Sequence, residues 1–93
     1  GPVEPVPSPV LNATEVANIL FLYEEEKLAH DIYVEMYTLY GAYIFENISL
    51  SEQRHMDAVS KLISKYGLED DVLLNGPGSF SNQIIQTEYD PAG

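Results

Sequence analysis

From Ile19 to Tyr66 the chain reads ILFLYEEEKLAHDIYVEMYTLYGAYIFENISLSEQRHMDAVSKLISKY, and two glycines bracket its organisation. Up to Tyr40 no Gly or Pro interrupts the backbone, and Ile19, Tyr23, Glu26, Ala29, Tyr33, Met36 and Tyr40 recur three and four residues apart. That is the spacing of one helical face. Gly41 then supplies a stop, since it accepts the left-handed backbone that ends many helices. A second row, Ile48, Glu52, His55, Val59, Leu62 and Tyr66, leads to Gly67. Two such helices joined by a short loop form an antiparallel hairpin, so the expected fold class is all-α.

Working outward, Asn12 offers an N-cap for the first helix, with Glu15 three residues on as a capping box requires, and Thr14 is a rival cap. Ala42 to Asn47 reads as a short aromatic connector, after which Ser49 or Ser51 can cap the second helix, Ser49 having Glu52 three residues later. Residues 12–67 are therefore the expected helical hairpin. Before it, residues 1–11 alternate proline with small or apolar residues and read as an extended arm or linker. After it, residues 68–93 read as an irregular tail with an acidic step, a turn at Asn75-Gly76-Pro77-Gly78 and a short amphipathic helix near Asn82 to Tyr89.

The chain of 93 residues suits one domain with a modest core, and its 45% hydrophobic content is that of a folding sequence. Fifteen acidic residues against four basic ones give a formal charge of −11, which repels phosphate backbones and excludes nucleic acid as the expected partner. Without cysteine, disulfides and thiolate metal sites are excluded. No apolar run approaches the roughly 20 residues needed to span a bilayer. Two N-glycosylation triplets, Asn12-Ala13-Thr14 and Asn47-Ile48-Ser49, tilt the expected location slightly towards the outside of the cytoplasm.

Three side chains break the apolar rule. Glu26 falls in phase with Tyr23, Ala29 and Tyr33, and Glu52 and His55 take successive positions of the second row. A carboxylate on a face expected to be buried must be neutralised, paired or bound to a cation, because an unpartnered buried charge costs several kcal/mol, roughly. Glu-x-x-His sets a carboxylate and an imidazole on one helical face, where they can ligate one metal or bridge two with help from a Glu on the facing helix. Hard oxygens with one imidazole favour iron or manganese over structural zinc. Alone the Glu-x-x-His spacing is a weak motif, since it arises by chance on any polar face; its phase with the apolar row gives it weight.

Glu26-x-x-Ala29-x-x-x-Tyr33 with Glu52-x-x-His55 resembles the ligand helices of the ferritin-like and rubrerythrin superfamily. More closely, YEEEKLAHDIY (Tyr23 to Tyr33), Phe45 to Ile48 and SEQRHMDAV (Ser51 to Val59) resemble the uncharacterised ferritin-like family DUF2202. The resemblance implies a four-helix bundle with a dinuclear iron or manganese centre, to which Glu26, Glu52 and His55 carry over as ligands. His30 stands where that family more often has Arg. A complete bundle continues into a second helix pair with another Glu and another Glu-x-x-His, so this hairpin is expected to form half of the bundle and a second chain the other half. A homo-oligomer sharing the metals across its two-fold axis follows from that expectation. A truncated or processed chain is the other explanation of the missing half.

The leading functional expectation is a di-iron or di-manganese oxidoreductase acting on Fe(II), O2 or peroxide. The alternative is an assembly module built from the hairpin, with metal absent or only a staple. Tyr33 and His30 are expected around the ligands, Tyr33 to hydrogen-bond a carboxylate or simply to pack, His30 as a partly exposed residue that orients rather than ligates. The other tyrosines, Tyr23, Tyr37, Tyr40 and Tyr43, read as core and interface material. Glu24 and Glu25 read as a solvated acidic face, and Lys27 with Asp31 as a surface ion pair.

Overall fold

The computed structural model describes residues 10–68 and 71–92. Within them the chain is all-α: helix α1 spans Ala13–Tyr40, α2 Tyr43–Lys65, a short 3₁₀ helix Asp71–Leu74, and α3 Gln83–Tyr89. No strand occurs among the described residues. The proline-rich arm expected over residues 1–11 lies outside them except for Val10 and Leu11.

α1 begins as its sequence dictates. The Glu15 amide donates to Asn12 Oδ1 at 2.8 Å and the Asn12 amide donates to Glu15 Oε1 at 3.1 Å, a complete capping box. It ends at Gly41, whose φ of 69° lets its amide turn back to Tyr37 O at 2.8 Å. Only Gly41 and Ala42 separate the two helices, which pack antiparallel along their length.

α2 starts six residues before Ser49, so the expected serine cap is corrected. Ala42 takes the N-cap position with no side-chain hydrogen bond, and Ser49 is buried in the helix with its hydroxyl donating to Glu46 O at 2.7 Å. Ring packing replaces the cap. Tyr33 and Phe45 stack with centroids 6.2 Å apart, Phe45 also meets Tyr40 at 6.2 Å, and Tyr37 meets Tyr43 at 6.4 Å. Aromatic pairs at these distances stabilise by about 0.5–1.5 kcal/mol each, comparable to a lost N-cap.

Tyr23, Met56, Val59, Ile63 and Val72 form the core, with Ile19, Leu20 and Leu68 packed against it. The segment after α2 folds back along α1 and buries Phe80 and Ile85, the latter completely. Polar side chains of α1 hold it there. Glu24 accepts from the Ser81 amide at 2.6 Å and the Asn82 amide at 2.8 Å. Lys27 donates to Asp31 Oδ2 at 2.8 Å, Gly76 O at 2.6 Å and Ser79 O at 2.9 Å, and lies 4.2 Å above the Phe80 ring. The Gly78 amide donates to Asp31 Oδ2 at 2.9 Å.

Two expectations are corrected by these contacts. Glu24 is not part of a solvated acidic face but buried, and Lys27 and Asp31 form a buried ion pair rather than a surface one. The three sit at i, i+3 and i+7, one helical face, and their burial is possible because the returning chain brings unpaired main-chain groups to them.

Candidate metal centre

Glu26 projects from the middle of α1 towards α2, and Glu52 and His55 meet it from one turn of α2. His55 Nδ1 lies 3.1 Å from Glu26 Oε2 and 3.6 Å from Glu52 Oε2. One ligand atom from each of the three falls within 4.8 Å of the others. Antiparallel packing explains the meeting: Glu26 and His55 lie 15 and 14 residues from Gly41 and so at matching depth, and the Glu-x-x-His spacing sets Glu52 on the same side one turn nearer the hairpin turn.

The two carboxyls shift each other in opposite directions. The Glu52 carboxyl is pushed above its ordinary range by its hydrogen bond to Glu26, by burial and by the Glu26 charge, with His55 opposing. Glu26 is held below its ordinary range by the hydrogen bond from Glu52, against burial, with His55 assisting. Both carboxylates are partly buried, whereas the His55 side chain is 55% exposed. The face carrying the three is therefore half open in a single chain, since two helices bury only the seam between them.

His30 and Tyr33 make their described contacts with other residues. His30 Nδ1 pairs with Asp31 Oδ1 at 2.9 Å, on the side facing the returning chain, and the Tyr33 ring stacks on Phe45 towards the hairpin turn. Glu24, Lys27 and Asp31 organise another side of α1; the Lys27–Asp31 pairing was legible as an i, i+4 ion pair, but its burial and the contacts of all three with the returning chain were not.

A family model described as an uncharacterized protein domain, DUF2202, matches residues 15–91, which takes in α1 from its third residue, α2, all three candidate ligands and the returning segment. The chain belongs to the DUF2202 family. Among its relatives, an uncharacterized protein of Methanocaldococcus jannaschii is 38% identical over 87 residues, covering 94% of this chain and 47% of that protein. The DUF2202 chain described here thus spans about half the length of the curated relative it matches. No solved structure matches it. Among the described residues no helix is long and apolar enough to cross a membrane.

Proposed function

We propose that this protein is a ferritin-like metal protein in which Glu26, Glu52 and His55 hold iron or manganese as half of a dinuclear centre, the four-helix unit being completed by a second chain. Its activity is that of an oxidoreductase acting on Fe(II), O2 or peroxide. The observation that carries this proposal is the convergence of three donor atoms from two helices within 4.8 Å.

The donor set fits the group. Two carboxylates and one imidazole suit iron or manganese, and carboxylates whose ligand atoms lie within 4.8 Å of one another and of an imidazole are a donor set whose negative charge a cation offsets. Centres of this class take a Glu from each of two helices and a Glu/His pair from each of the other two, and one copy of this chain supplies half of that set. Bound metal supplies electron transfer and open positions for a small oxidant. The chain's own residues hold the ion and balance its charge.

Metal content after purification without chelators, together with Fe(II) and Mn(II) titrations of the parent, Glu52→Ala, His55→Ala and Glu25→Ala, tests the proposal. One metal per chain is expected, with each of the first two variants binding at least about 100-fold more weakly and Glu25→Ala, an exposed neighbour, like the parent. Less than one metal per two chains with full folding in EDTA defeats it, and leaves the assembly module as the function.

A further inference from the structure

We propose that Asn75 is a site of self-modification: its side-chain amide is lost as ammonia through attack by the Gly76 main-chain nitrogen, and the altered main chain loosens the grip of Lys27 on the returning segment.

The chain has five asparagines, and Asn75 alone is followed by glycine. Asn12 and Asn82 cap helices, their Oδ1 atoms accepting main-chain amides between 2.8 and 3.2 Å. Asn18 and Asn47 lie inside α1 and α2, where the amide of the next residue serves the helix. Asn75 instead stands in the irregular link after the 3₁₀ helix. Gly76 is exposed, has no Cβ to shield its nitrogen, and has nothing within 4 Å of where one would stand. Among the described residues the Asn75 carbonyl and the Gly76 amide, the two ends of the peptide group that must turn for attack, make no hydrogen bond. The one restraint on the side chain is Nδ2 donating to Ser81 Oγ at 2.8 Å, and a neutral hydrogen bond of this kind slows the step by no more than about tenfold.

Solvent base takes the Gly76 amide proton, and the nitrogen attacks Asn75 Cγ. The N–Cγ bond forms, the Cγ–Nδ2 bond breaks, and Nδ2 leaves as ammonia with a proton from water. A second water then opens the cyclic imide at either carbonyl. The product is aspartate, or isoaspartate where the main chain now runs through the former side chain. Position gives the change its consequence, since Lys27 holds the next carbonyl, Gly76 O, at 2.6 Å and Asp31 accepts from the Gly78 amide at 2.9 Å. Isoaspartate inserts a methylene into the main chain just ahead of both groups. Either product also puts a carboxylate where Nδ2 donated to Ser81, and adds a negative charge to a chain already at −11.

Peptide mapping by mass spectrometry tests the proposal on the full 93-residue chain, kept at body temperature across about pH 6 to 9, folded and in urea, beside Gly76→Ala. That variant keeps the fold, since the space at Gly76 is open and its φ lies outside the left-handed region. Aspartate and isoaspartate are expected at position 75 of the folded chain, forming faster as pH rises and at no less than about one-tenth of the rate in urea. The other four asparagines stay intact over the same period, and Gly76→Ala slows the loss at least about tenfold, because a Cβ crowds the attacking nitrogen. In the isoaspartate form, hydrogen exchange at the Gly78, Ser81 and Asn82 amides, which Asp31 and Glu24 accept, is expected to be at least about tenfold faster. An Asn75 that stays intact in the folded chain overturns the proposal, as does a rate that Gly76→Ala leaves unchanged. Isoaspartate with exchange like the parent's at those three amides overturns the loosening.

Discussion

Asp31 is the residue on which the polar side of α1 turns. Burial pushes its carboxyl up, but hydrogen bonds from Lys27, from the Gly78 amide and from His30, with the Lys27 charge, leave it below its ordinary value. A carboxyl whose folded pKa is depressed adds stability above its unfolded pKa and loses it as pH falls through the folded one. Melting temperatures between pH 7 and pH 2 should therefore decline below about pH 4, and the decline should be shallower in Asp31→Asn. At neutral pH the same variant strands a buried ammonium and should cost about 3–5 kcal/mol by urea unfolding. Replacing both partners, Lys27→Met with Asp31→Leu, should recover only part of this, because the Gly76 and Ser79 carbonyls lose their donor. At this scale the sequence was legible for Glu26, Glu52 and His55, where charge interrupts an apolar row. For Glu24, Lys27 and Asp31 only the Lys27–Asp31 pairing was legible; their burial was not, because it depends on main-chain groups some fifty residues away.

Among the elements, α1 could be read from both of its ends, since Asn12, Glu15 and Gly41 act through contacts within four residues. The start of α2 could not, because ring packing against α1 overrides the serines that would otherwise cap it. α3 was visible as a short amphipathic piece, but not that it docks. Two variants separate the contributions. Gly41→Ala, at φ 69°, should destabilise the whole hairpin by about 1 kcal/mol, since a Cβ disfavours the left-handed conformation. Gly78→Ala should act more locally and more severely: at φ 74° its Cβ would stand 2.8 Å from the Tyr89 ring, which cannot shift without disturbing its contact with Phe80. Hydrogen exchange should then show faster exchange at the amides of residues 83–89 and little change in α2.

For the molecule as a whole, the returning segment covers one side of the hairpin, while Glu26, Glu52 and His55 stand on a side that the described residues leave partly open. Metal bound by the native fold and not by the unfolded chain should raise stability, by about 2.7 kcal/mol at free Mn(II) one hundred times its dissociation constant. Calorimetric melting with and without Mn(II), and again with His55→Ala, checks this; an equal rise in the variant would locate the bound ion elsewhere. The covered side has a different consequence, for how the chain tolerates change. Glu24, Lys27 and Asp31 grip amides and carbonyls of the returning segment, groups that every residue there except proline presents alike. In a library of all single substitutions, positions 76 and 79 should therefore accept most side chains while 24, 27 and 31 accept almost none. The record of this contact would be written in one of its two strands of sequence and be silent in the other.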